Sequence, residues 1–209
     1  MAIKPDPMKR TIIKICFAAA LVLLIALLEG CKLFSLHPLY TKDDIVRTQA
    51  IEGKWIWDET GSYLLIAVED DSAYRFTQVD GPDTTDYLMH LTQLGGELFM
   101  DLYPYENCGV MKGESKDCRK LEYLVQNFIP VHSFSKVEIS KEKLVITEFD
   151  VDRLKSLFRQ NRIRLRHEKL DEEDLIILTA STPDLRKFIG KYARDPKAFL
   201  EPVEMTRVP

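Results

Sequence analysis

The chain is poor in the residues that most catalytic and metal-binding motifs require. It has 4 histidines and 4 cysteines in 209 residues. His37, His90, His132 and His167 stand too far apart for the paired spacing of a zinc site, and no Cys-x-x-Cys occurs for a metal or a redox centre. No Gly-x-Ser-x-Gly elbow is present, so a hydrolase reading rests only on His132-Ser133 together with Asp101, in a stretch whose alternation is that of a strand. The sequence therefore presents no cofactor, no metal site and no catalytic residue, and the expectation is a protein that is not an enzyme. It also has no internal repeat and no low-complexity tract. Basic charge is short as well: 29 Lys+Arg stand against 33 Asp+Glu. The first thirty residues hold four basic and two acidic side chains, so the remainder lies near −6 against −4 for the whole chain. A domain this acidic lacks the footprint that nucleic-acid binding requires.

What is present begins at the N-terminus. Lys4, Lys9, Arg10 and Lys14 form a basic region, and the apolar run from Ile15 to Leu28 follows it, too short for the ~20 residues of a comfortable bilayer span. The run ends at Leu28-Glu29-Gly30-Cys31. This resembles the lipobox of bacterial lipoproteins, with Leu28 at the first position, Gly30 before the cut and Cys31 as the cysteine that receives diacylglycerol; Glu29 stands where the pattern prefers a small residue. The resemblance implies a signal peptide over residues 1–30, a lipidated Cys31 and a membrane held through acyl chains such as palmitate. Lys32 after the cysteine implies sorting to the outer membrane, facing the periplasm. The other reading of the same stretch is an uncleaved anchor helix from Ile12 to Leu28 with Cys31 an ordinary thiol.

In an oxidising compartment Cys108 and Cys118 are expected to pair. The glycine-bearing polar loop between them closes a ring of a size for which the chain-entropy estimate gives ~3 kcal/mol.

After a tether at residues 31–50, residues 51–209 read as one β-rich domain. Alternation and turn residues predict strands over Gly53 to Trp57, Ser62 to Glu69, Ala73 to Asp80, Thr84 to Leu94, Glu97 to Tyr103, Leu121 to Phe128, Val131 to Ser140 and Lys143 to Phe149. Two helices interrupt them, at about 151–161 behind Asp150 and at about 183–193 behind Thr182 and Pro183, each with an apolar stripe that packs against the sheet. A strand pair, Ile163 to Lys169 and Leu175 to Thr179, lies between the helices. The fold class expected is mainly β, an antiparallel meander that closes on itself as a barrel.

Gly53-Lys54-Trp55 is similar to the Gly-x-Trp of lipocalins, in which the tryptophan plugs the closed end of an eight-stranded barrel under a late arginine. The resemblance implies that role for Trp55, with Arg164 or Arg166 as the arginine. His37-Pro38-Leu39-Tyr40-Thr41, Leu94-Gly95-Gly96 through Pro104, Val131-His132-Ser133-Phe134 and Leu178 to Thr182 look like those of an uncharacterised family of bacterial lipoproteins, which supports the address and names no activity.

A barrel of this size holds either packed side chains or one small ligand. Tyr63, Tyr74, Phe76, Tyr87 and Phe99 are the candidate ligand-binding residues. Two functions follow: a lipid-anchored envelope protein that binds a small hydrophobic molecule, or a structural or assembly lipoprotein with a filled barrel that acts on an envelope protein partner.

Overall fold

The computed structural model of the chain describes residues 33–57, 61–105, 129–170 and 175–208. Cys31, Cys108, Cys118 and the stretch from Leu121 to Phe128 lie outside the described residues. The chain divides between Cys31 and Lys32, and the second unit is described here.

Eight antiparallel strands close into a barrel. They are β2 (Gly53–Ile56), β3 (Tyr63–Val68), β4 (Tyr74–Asp80), β5 (Asp83–Leu94), β6 (Glu97–Pro104), β7 (His132–Ile139), β8 (Lys143–Glu148) and β11 (Val203–Val208). Neighbours run in chain order from β2 to β8. The last strand, β11, then inserts between β8 and β2, and the β6–β7 pairing makes the ring continuous. Closure leaves no unpaired edge in the ring, which is how an antiparallel sheet of this length avoids exposing backbone donors. The mainly β barrel with two helices expected from the sequence is thus present. Its eighth strand comes from the C-terminus after an excursion over residues 149–202.

Local chemistry fixes the turns. Asp70 Oδ1 accepts from the amides of Ser72 and Ala73 at 2.6 and 2.9 Å, an Asx turn that folds β3 onto β4. Gly95 and Gly96 both have positive φ, at 61° and 85°, and make the two-residue link that sets Leu94 opposite Glu97.

The excursion covers one outer wall of the barrel. Helix α1 (Val151–Arg159) starts where Asp150 accepts from the Arg153 amide at 2.8 Å, and it buries Val151, Leu154 and Phe158. Strands β9 (His167–Leu170) and β10 (Leu175–Leu178) pair with each other. Helix α2 (Thr182–Tyr192) buries Leu185 and Ile189. Residues 163–166, read from the sequence as the start of a strand, belong to none.

The stretch presented by the sequence as a tether is packed from Leu33 onward. Strand β1 (Phe34–Ser35) lies between β7 and β10, and Leu33 and Leu39 are fully buried. Two apolar cores result. One fills the barrel, with Trp55, Ile66, Tyr74, Met89 and Leu144; the other lies outside it, where Phe99, Phe134 and Phe149 meet the helices, β1 and β10.

Candidate functional site: the open mouth of the barrel

The barrel is sealed at one end. Trp55 is fully buried and donates its indole N–H to the Ile51 carbonyl at 2.9 Å. The Arg207 guanidinium lies 4.1 Å from the centre of the Trp55 ring, and its other contacts are the carbonyls of Ala50, Glu52 and Lys141. A cation over an indole face is attracted by the ring quadrupole, so one side chain both lids the ring and ties down two backbone segments through three carbonyls. Gly53 makes this possible: its φ is 126°, and a Cβ there would stand 2.7 Å from the guanidinium. The arginine over the tryptophan is therefore Arg207 on the closing strand. Arg164 and Arg166 lie on the surface outside the barrel, where the path of the chain after α1 carries them.

Above this plug Ile66, Tyr74, Met89 and Leu91 fill the section. Tyr74 is tied at its rim, since its hydroxyl accepts from the Thr48 amide at 2.8 Å and donates to the Thr48 carbonyl at 3.1 Å. Beyond them the interior opens into a cavity of about 280 Å³. Its walls are Leu64, Phe76, Met100, Leu102, Ile146 and Met205, with Trp57 and Val203 at the rim. Two polar side chains join them. Gln78 projects from β4, and on the far wall Glu148 accepts from the Ser135 hydroxyl at 2.9 Å. A cavity of ~150 Å³ admits benzene, and pockets for larger ligands start near ~300 Å³, so this space suits a small apolar molecule with one polar group.

Of the five candidate residues, Phe76 lines the cavity. Tyr87 faces the same interior, packed edge-on to Phe76 with centroids 6.1 Å apart. Tyr74 belongs to the packed floor. Tyr63 and Phe99 point outward: Tyr63 lies beneath the Lys54 ammonium at 3.7 Å, and Phe99 is in the outer core. Both faces of β3 carry large apolar side chains, and on β6 the outward Phe99 is as buried as the inward residues because the outer core covers it, so apolarity alone does not mark the inner face. Met100, Leu102 and Ile146 were legible as apolar strand residues, whereas Met205 lies on β11, which the sequence did not mark as a strand. That the four share one cavity was not legible.

The second polar cluster lies on the outer wall. His132 hydrogen-bonds through Nδ1 to Asp101 Oδ1 at 2.7 Å, while Asp101 Oδ2 accepts from the Leu39 amide at 2.7 Å. Asp101 is fully buried. Ser133 stands directly opposite Leu102 and so faces the barrel interior, away from His132. Serine, histidine and aspartate therefore do not converge, and the Asp101–His132 pair instead clamps the N-terminal segment to the wall. Beside it Tyr40 stacks on His90 at 3.9 Å between centroids. Burial and the nearby Asp101 carboxylate push the Tyr40 phenol up to about 12, and burial lowers the His90 imidazole, whose Nδ1 has no hydrogen-bond partner among the described residues. Among the described residues no three His, Cys, Asp or Glu side chains gather to hold a metal ion.

No family model, no curated protein and no solved structure matches this chain. The reading of the site thus rests on its own geometry.

Proposed function

We propose that this is a lipid-anchored protein of the bacterial cell envelope, held at Cys31 and facing the periplasm from the outer membrane, whose barrel binds a small hydrophobic ligand without catalysis. The observation that supports ligand binding is the 280 Å³ cavity above a plugged floor, apolar except for Gln78 and the Ser135–Glu148 pair. Packed interiors tolerate few voids larger than a water molecule. An open, largely apolar mouth is therefore a place where a ligand offsets exposed surface. The test is titration of the full-length protein with N-phenyl-1-naphthylamine, whose fluorescence rises in apolar surroundings. Saturable enhancement that Met100→Trp abolishes supports the reading; equal enhancement in the variant overturns it. The address has its own test, since Cys31→Ser leaves membrane partition and electrophoretic mobility unchanged if Cys31 carries no lipid.

A second reading is a structural or assembly lipoprotein that acts through protein contacts. It is favoured by the outer face of β2 and β3, where Ile56, Tyr63 and Leu65 form an apolar patch that no element covers among the described residues; Leu65 is 43% exposed. Persistence of envelope-protein crosslinks in Leu65→Lys would sink that alternative.

A further inference from the structure

Several surface cations have a carboxylate partner. Arg75 meets Glu69, Lys143 meets Glu204, Arg186 meets Asp44 and Arg194 meets Glu97. One concavity gathers five cations that have none among the described residues. Between the segment after α1 and the exposed side of α2 runs a groove of about 360 Å³ lined by Arg162, Arg164, Arg166, Lys187 and Lys191. Among the described residues none of the five has a carboxylate within ion-pair distance. The one carboxylate in the lining, Asp184, accepts from the Ser181 hydroxyl at 2.8 Å.

The two cationic rows arise from different periodicities. Residues 162–166 alternate, with Ile163 and Leu165 buried and the three arginines exposed, which spaces the arginine backbones by roughly 7 Å along one side. On α2, Lys187 and Lys191 are one turn apart and share a face. The segment's direction is fixed where it leaves α1: Asn161 takes a φ of 53°, its amide reaches the Phe158 carbonyl at 2.9 Å, and the Arg162 amide reaches the Leu157 carbonyl at 3.0 Å. This is the Schellman closure of a helix end. At its other end the Arg166 carbonyl accepts from the Thr179 amide at 3.0 Å. The arginines therefore project from a backbone held at both ends and anchored by two core side chains, so little backbone order has to be gained on binding.

We infer that this groove binds a compact anion carrying two or more phosphate groups, presented either on a lipid surface or by a soluble polyphosphate. Five cations around a low-dielectric concavity focus a positive potential that water and salt leave only partly screened. Guanidinium forks match phosphate oxygens in pairs, and two facing rows hold neighbouring phosphates from both sides. The acidity of the whole chain disfavours a long polyanion such as nucleic acid, which needs an extended basic face. The inference stands apart from the barrel ligand, since the groove shares no lining residue with the mouth.

The experiment uses full-length protein in two arms. Sodium tripolyphosphate is titrated calorimetrically, and flotation is compared on phosphatidylcholine vesicles with and without cardiolipin, a lipid whose headgroup carries two phosphates. Arg164→Glu with Lys187→Glu is expected to weaken tripolyphosphate binding by at least about tenfold, or to remove the extra flotation that cardiolipin confers. Loss in the first arm alone assigns a soluble source, and loss in the second assigns a lipid source. Lys54→Glu with Lys141→Glu, an equal charge change on exposed residues outside the groove, is expected to leave both readings intact. If the reversal variant loses its circular-dichroism melt, Arg164→Gln with Lys187→Gln replaces it. Silence of the wild type in both arms overturns the inference, as does undiminished binding in the groove variant or equal loss in the control pair.

Discussion

The two ends of the barrel are built from the same strands and treat their interiors differently. At one end Trp55, Arg207 and Gly53 interlock with backbone carbonyls, and the section above them is filled by Ile66, Tyr74, Met89 and Leu91. At the other, side chains of comparable apolarity leave 280 Å³ open. The difference lies in what covers each rim. Short turns and the 3-10 turn at Gln49–Ile51 close the first, so its side chains are driven inward until they touch. At the second rim the β2–β3, β6–β7 and β8–β11 connections are longer, beside the short link from Asp80 to Asp83, and among the described residues its apolar walls have no partner across the lumen. One end stores stability and the other keeps space.

This contrast predicts the largest effect for the plug. Trp55→Ala should lower unfolding free energy by about 3–5 kcal/mol, while Trp57→Ala at the rim should cost under about 1 kcal/mol and instead weaken uptake of the fluorescent probe. Paired chemical denaturation of the two variants checks it, and equal losses would erase the distinction between the ends.

The outer-wall clamp comes next. Asp101→Ala strands the Leu39 amide and the His132 ring inside a buried seam, with an expected cost of about 3 kcal/mol. Hydrogen exchange should show residues 33–41 losing protection before the barrel strands do. Uniform loss throughout would mean that the segment and the barrel unfold as one.

The seam also carries the expected pH dependence. Burial holds the His90 imidazole below its ordinary value near 6.5, so the unfolded chain takes up the proton first and stability falls as pH drops below about 6.5. Tyr40 works in the opposite range. Its phenol is raised from 10.0 to about 12, so the unfolded chain loses its proton first and stability falls as pH rises between those values. Melting temperature against pH should thus be highest between the two ranges. His90→Phe keeps the stack on Tyr40, removes a buried Nδ1 that has no partner among the described residues, gains about 1 kcal/mol near neutrality and flattens the acidic limb alone.

The smallest effect on stability is expected at the mouth. Met100→Trp fills open space, so denaturation should shift by about 1 kcal/mol or less while probe binding disappears. A larger loss would mean that the walls are already in contact.

Strand positions were legible because alternation and turn chemistry act locally. The hairpin around Gly95-Gly96 follows from two adjacent positive-φ residues between alternating runs, and α1 from an Asp150 cap and an i, i+3, i+4 stripe. Strand β1 escaped notice because two residues cannot show a period. β11 did too: Val203, Met205 and Arg207 alternate inward with a charged residue last, and arginine is read as an outward residue until the Trp55 ring and three carbonyls stand around it.

By itself the sequence determined the β class, the hairpins, both helices and Gly53-x-Trp55 as a special site, because each is decided by residues within a few positions of one another. Tertiary structure alone decided which face of β3 and β6 is interior, which arginine covers Trp55, and that Asp101 joins His132 and Leu39 outside the barrel. It alone brought Arg162, Arg164 and Arg166 opposite Lys187 and Lys191. Those outcomes depend on closure of the ring and on where the chain over residues 149–202 is laid down. Both are set by contacts between segments far apart in sequence, which no local pattern encodes.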